Sequence, residues 1–152
     1  MLINLVVVVI FALLNGVEPS WSWLLVPLSI LEIYILSLGI SFLLGALNVK
    51  YRDATSIWDV CTQALFYAAP IIYPISMVAE INVTAAKALL VNPIAQVIQD
   101  VRYNLITHET ITSWNYIANF WLQIIPIAIV VILFIVGILY FRKKSKSFAE
   151  DV

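Results

Sequence analysis

Four apolar stretches separated by short polar breaks set the pattern of this chain. The first, residues 1–15, ends at Asn15-Gly16-Val17-Glu18-Pro19-Ser20, where Gly and Pro punctuate a turn. The second runs from about Trp21 to Leu47, with Glu32 the sole charge between Pro19 and Val49. The third lies at about 57–78 and overlaps the charge-free run Val60–Ala79; the fourth falls within the charge-free run Thr110–Phe141. A helix needs roughly 20 apolar residues, at ~1.5 Å each, to cross the hydrocarbon core of a bilayer. The pattern therefore predicts an all-α polytopic membrane protein, a single transmembrane domain over 1–152 with spans at roughly 1–15, 22–47, 57–78 and 117–141.

Local signals refine these segments. Trp21 and Trp23 are placed as interfacial anchors. Pro27 sits in the first turns of the second span, where a missing N–H is best tolerated. The third segment closes with Ala69-Pro70-Ile71-Ile72-Tyr73-Pro74, whose two prolines should kink or end the helix, with Tyr73 near the interface. Pro126 is a further candidate kink in the last span.

Residues 80–112 read differently. Glu80, Lys87, Asp100, Arg102 and Glu109 are scattered through them, yet Asn92-Pro93 is a strong helix start, with Asn as N-cap and Pro at the first helical position. Ile94, Val97, Ile98, Val101 and Leu105 then share one helical face, while Gln96, Asp100, Tyr103 and Asn104 occupy much of the remainder. About 14 residues is too short to span. The expectation is a re-entrant or interfacial helical hairpin.

Composition agrees with the pattern. The 152 residues are 63% hydrophobic and 11% charged, against about 25% charged in soluble domains, and the mean hydropathy is +1.02. Charge placement gives orientation. Lys50, Arg52, Arg142, Lys143, Lys144 and Lys146, six of the eight basic residues, lie either in the island at 47–54 or in the tail at 142–152. Two spans separate island from tail, so both fall on one side, which the positive-inside rule makes cytoplasmic. The 80–112 hairpin is then external. No basic residue precedes the first apolar run, so a cleaved signal peptide is not expected; the run reads as a short first span or the outer part of a longer one.

Candidate enzyme chemistry is sparse. The four glycines form no GxxxxGK[ST] loop, so P-loop binding of ATP is excluded. Cys61 is the only cysteine, and no Cys/His cluster suggests a metal. His108 reads as a solvated loop residue, and no nucleophilic triad or carboxylate pair is visible on common elements. No catalytic residue and no bound cofactor are expected, and nothing points to nucleic acid. Glu32 is the unusual residue: a carboxylate within a span costs roughly 2.5–3.5 kcal/mol unless it finds a partner or water. It either lines an aqueous path or bonds another helix, or it snorkels outward or is protonated.

These features resemble the C-terminal part of an ABC-2 type permease of the polysaccharide and lipopolysaccharide exporter branch. A span ends in Ala46-Leu47-Asn48-Val49-Lys50-Tyr51-Arg52-Asp53, similar to that family's NVxYRD signature. Pro70-Ile71-Ile72-Tyr73-Pro74, Asn92-Pro93, Arg102, Tyr140-Phe141-Arg142-Lys143 and Phe148-Ala149-Glu150 follow in the family's order. The chain departs from the family in having room for fewer spans, in Glu150 where Asp is commoner, and in Ala69 where a hydroxyl residue is frequent.

The resemblance implies an exporter moving a lipid-linked polysaccharide (O-antigen, teichoic acid or capsule) across the plasma, or bacterial inner, membrane. It also implies a cytoplasmic ATPase subunit carrying ATP and Mg, and a second copy of the permease. By the same resemblance Asn48, Lys50, Tyr51, Arg52 and Asp53 form the ATPase-coupling loop. Gln63, Tyr67, Pro70, Tyr73, Pro74, Asn92, Pro93 and Arg102 are assigned to the translocation path or external gate. Three alternatives stay open: a non-transporting membrane scaffold or inactive permease fragment, an exporter of small molecules, and a membrane enzyme on lipid-linked sugars with Glu32, Asp100 or Glu109 as base.

Overall fold

The computed structural model describes residues 2–51 and 53–145, without the side chains of Leu2 and Lys50. Arg52 and the tail motif Phe148-Ala149-Glu150 lie outside the described residues. The described residues form helices and no strand. In order they are α1 (Leu2–Leu14), a 3-10 turn (Trp21–Leu25), α2 (Val26–Lys50), α3 (Ala54–Ala68), α4 (Ile75–Ile81), α5 (Val83–Leu90), α6 (Pro93–Leu105), α7 (Ser113–Tyr116) and α8 (Phe120–Lys144).

α1 stops where the sequence says it should. Gly16 adopts φ +83°, and its N–H bonds Leu13 O at 3.1 Å while Val17 N–H bonds Ala12 O at 3.1 Å. This paired closure needs a left-handed residue at its centre, which glycine adopts without a Cβ penalty.

The frame is the pair α2 and α8. Trp21–Val49 and Phe120–Lys144 are, among the described residues, the two stretches long and apolar enough to cross a membrane. They run in parallel: Gly39 lies against Leu133, Phe134 and Gly137, and farther along both helices Phe42 lies against Phe141, with ring centroids 5.5 Å apart. The α2 residues turned inward are Ser29, Glu32, Leu36, Gly39, Leu43 and Ala46, spaced by alternating threes and fours. Pro126, Val130, Leu133 and Gly137 repeat that spacing on α8. This is the knobs-into-holes rhythm of two helices at a small crossing angle. α8 continues through Pro126, so no end forms there. Most of the outer surface of both helices is large and apolar, including Leu28, Leu31, Ile132, Ile135 and Leu139, as lipid contact requires.

The third apolar segment differs from expectation. In place of one helix over 57–78, α3 has 15 residues and ends at Ala68, and α4 starts anew at Ile75. The prolines at 70 and 74 withhold two backbone donors, and the chain at Ala69 and Pro74 is extended. α4 thus packs against α5 rather than continuing a span. α1, with 13 residues, is likewise shorter than a full crossing.

Short helices between the break and α8 form a cap around Ile75, Ala86, Leu90 and Ile117. Asn82, part of an Asn-Val-Thr triplet, is its local organiser, accepting from Thr84 N at 2.9 Å and Ala85 N at 3.2 Å to start α5. α6 begins as the sequence predicts: Asn92 Oδ1 accepts from Ile94 N at 3.0 Å, and Pro93 holds the first helical position.

Candidate functional site

Two regions at opposite ends of α3 carry the polar chemistry. At one end, the turn from α2 to α3 presents Asn48, Tyr51 and Asp53, and Thr55 Oγ1 donates to Asn48 Oδ1 at 3.0 Å across it. Tyr51 and Asp53 border an apolar groove with Leu44, Leu47, Ile57 and Trp58, about 620 Å³ in volume. Because α2 and α8 are parallel, this turn shares its end of the bundle with Arg142, Lys143 and Lys144 of α8. The charge pattern had put island and tail together by counting spans; the packing of α2 on α8 places them together directly.

At the other end lies the break between α3 and α4. Arg102 Nη2, from α6, donates to Ile71 O at 2.7 Å. Tyr73 OH donates to Tyr67 O at 3.3 Å, closing the break on itself. Pro74, Gln99, Arg102 and Glu109 then share a small cleft. Pro70, Tyr73, Pro74, Tyr67 and Arg102 are therefore brought together, with Asn92 and Pro93 starting the helix that carries Arg102. Gln63 is not part of this cluster. It is exposed midway along α3, on one stripe with Asp59 and Tyr67. Asp59 went unremarked in the sequence, although its four-residue spacing from Gln63 was readable there.

α6 is not half-exposed, as an interfacial helix would be. α2, α8, α5 and the 3-10 turn all pack against it, and none of its residues is fully exposed. Gln96 and Asn104, expected away from the apolar face, are buried, and so is Gln99. His108 is not simply solvated: its Nε2 lies 3.0 Å from Ser22 Oγ and its ring 4.8 Å from that of Tyr103, tying the loop after α6 to the 3-10 turn.

Beneath α6 a cavity of about 300 Å³ opens between α2, α6, α7 and α8, lined by Ser29, Glu32, Gln96, Asp100, Asn104 and Trp114, among others. Sequence reading found no carboxylate pair; the fold supplies one from two distant elements. Gln96 Nε2 donates to Asp100 Oδ2 at 3.2 Å, and the Trp114 side chain adds a second donation. Burial outweighs both and pushes the Asp100 carboxyl up to about 6. Among the described residues, no group of three or more His, Cys, Asp or Glu is positioned to hold a metal.

The ABC-2 type transporter profile matches residues 1–106. Two O-antigen export system permease proteins RfbA of Klebsiella pneumoniae are 30% and 29% identical to this chain, over 145 and 148 residues. Each alignment covers 95% of this chain and 52% of the relative. A protein of the same name from Myxococcus xanthus is 22% identical over 152 residues, 99% of this chain and 55% of the relative. The chain thus spans about half the length of the curated relatives it matches. No solved structure matches it significantly. With the profile covering more than half of a helical, membrane-spanning chain, this protein belongs to the ABC-2 type transporter family.

Proposed function

We propose that this chain is part of the membrane permease of an ATP-driven exporter whose cargo is a lipid-linked polysaccharide. The observation that carries this reading is the course of α3. It starts at the charged turn beside the basic end of α8 and finishes at the proline break that Arg102 of α6 holds. One short helix thus joins a surface suited to a soluble partner with the external helices. The cargo class rests on similarity to permeases named for O-antigen export.

In this reading the 48–53 turn faces the cytoplasm and docks on an ATPase subunit, which carries ATP and Mg. Tyr51 and the neighbouring groove receive an apolar contact, and Arg52 with Asp53 supplies charge pairing. ATP hydrolysis displaces α3, and the Arg102–Ile71 bond passes that motion to α6, the external gate. The conducting path forms between two copies, because a bundle this small fills its own interior with side chains and two-fold pairing is the commonest closure for identical subunits.

The test is a charge swap. Arg52→Glu should uncouple ATP hydrolysis from export while leaving membrane insertion intact. Normal export by an Arg52→Glu, Asp53→Lys double mutant with an unmodified ATPase contradicts the docking role.

A further inference from the structure

The end of α2 opposite the charged turn holds a polar cleft that the transport reading leaves unassigned. One wall is the stretch before α2, with Glu18, Ser20 and Trp23; the other is the end of α6 and the loop after it, with Asn104, Thr107 and His108. The two walls are far apart in the chain. They are pinned together at Ser22 and His108, whose Oγ and Nε2 lie 3.0 Å apart. Tyr103 braces the His108 ring, with 4.8 Å between centroids. The cleft has a volume of about 350 Å³, at the small end of the range for ligand sites.

Its polar groups are left unused by the fold. Ser20 stands at the N-cap of the 3-10 turn, where a serine ordinarily accepts from a free backbone N–H, yet its side chain makes no capping bond. Asn104 is only 8% exposed, and its side chain has no hydrogen-bond partner among the described residues. A buried amide left so is costly; its partners must come from the voids it borders, this cleft and the cavity beneath α6. Thr107 Oγ1 accepts from Glu109 N at 3.3 Å, so its own O–H remains to donate. Glu18, exposed, adds a carboxylate.

This set selects a ligand class. Hydroxyls, an amide, an imidazole and one carboxylate supply donors and acceptors in mixture. No Lys or Arg lines the cleft, so nothing offsets the charge of a phosphate, sulfate or uronate. Trp23 adds a flat apolar surface. A pyranose matches both features, with hydroxyls around its rim and C–H groups on its faces. We propose that this cleft binds one neutral pyranose unit of a glycan, its C–H face on Trp23 and its hydroxyls on Glu18, Ser20, Asn104 and Thr107. The choice of a saccharide over another polyol rests on the export reading. Because one wall belongs to α6 and the other leads into α2, an occupied cleft holds these two helices together.

Ile106 lines the same cleft and is 50% exposed, which makes the site observable. The full chain carrying Ile106→Cys and Cys61→Ser, in a detergent without a sugar headgroup, is labelled with a maleimide. Methyl glycosides of glucose, mannose, galactose or N-acetylglucosamine are added in turn. At least one should slow labelling about fivefold or more, with a half-effect on the order of millimolar, as expected of so small a ligand. Sorbitol and glucuronate at equal concentration should not. Trp21 is 89% exposed and outside the lining, so a chain with Trp21→Cys instead should label equally fast throughout.

Added to the Ile106→Cys chain, Trp23→Leu should raise the half-effect concentration about tenfold or more, and Trp23→Phe, which keeps a ring, about threefold or less. Glu18→Ala and Thr107→Val sit at exposed positions and should each raise it about threefold; they decide the matter if Trp23→Leu fails to fold. Protection by no neutral glycoside overturns the proposal. So does protection undiminished in these variants, which places the sugar elsewhere, and so does equal protection by glucuronate. None of these measurements involves ATP or a partner, so their failure leaves the export reading to its own charge-swap test, and failure of that test leaves the cleft standing.

Discussion

Gly39 of α2 and Gly137 of α8 meet back to back, and nothing larger than a hydrogen fits between them. A Cβ built on Gly39 lies 2.8 Å from Phe134 Cα and N, and one built on Gly137 collides with the Gly39 carbonyl oxygen. Lipid tails are as apolar as the side chains they contact, so helices in a membrane associate mainly through packing, and small residues permit the closest packing. This contact fixes how α2 and α8 pair, and with it the positions of Glu32 above and of the charged turn below.

The glycines make a sharp prediction because a third one serves as control. Gly137→Ala pushes a methyl group into backbone that cannot move aside and should destabilise by about 1–3 kcal/mol, the range for overpacking. Gly45 also lies in α2, but a Cβ there sits 3.7 Å from the Phe141 ring, an ordinary contact. Gly45→Ala should be neutral or stabilise by up to about 1 kcal/mol through helix propensity. Denaturation of the two variants by SDS titration in mixed micelles separates them; equal behaviour rules out the close crossing.

Much of this was legible in the sequence, for definite reasons. The long apolar runs gave α2 and α8 because length and hydropathy are local properties. Asn92-Pro93 and Pro70–Pro74 gave a helix start and a helix end because capping and proline sterics act within one turn. The burial of Gln96, Gln99 and Asn104 was not legible. Periodicity identifies one apolar face of α6, but does not reveal that other elements cover the remaining faces. The Glu32–Asp100 pairing and the Gly39–Gly137 contact join residues far apart in the chain, so no window of sequence contains them.

Arg102 holds the α3–α4 break through a single bond to Ile71 O. Because the arginine is only partly buried, the bond stabilises by about 1 kcal/mol, below the usual range for charged donors. Arg102→Ala should therefore speed local opening of residues 70–74 about fivefold, read as amide hydrogen exchange by mass spectrometry. Arg102→Lys should restore part of the protection, since Lys can donate but lacks the fork geometry. Unchanged exchange in Arg102→Ala sinks the idea that α6 controls the break.

Gate motion of α6 predicts a change in accessibility. Val97 and Leu105 are 7% and 3% exposed, whereas Ile106, one residue past the helix, is 50% exposed. Single cysteines at Val97 or Leu105 in a Cys61→Ser background should resist an impermeant maleimide at rest, and one at Ile106 should react. Val101, half-buried between them, should react slowly. If α6 gates the path, ATP-driven transport makes the protected positions reactive. Protection that persists during transport argues for a static cap.

The final prediction concerns what covers α3. This helix buries none of its residues within the chain, and Ile57, Val60 and Tyr67 are 64%, 66% and 72% exposed. Lipid would suit the apolar ones, but not the stripe of Asp59, Gln63 and Tyr67 on the same helix. Polar and ionisable groups at membrane depth face a protein or an aqueous path, since hydrocarbon leaves them unsatisfied. Tyr67 adds a ring that can stack on a sugar. A second copy placing its own α3 opposite would give this stripe both a partner and a conduit. Cysteines at Gln63 or Tyr67 should then crosslink between two copies in native membranes, while one at Ile132 on the lipid face of α8 should not. Crosslinks confined to α8 would move the interface to that helix, and export without crosslinks at any position would remove the paired-copy path.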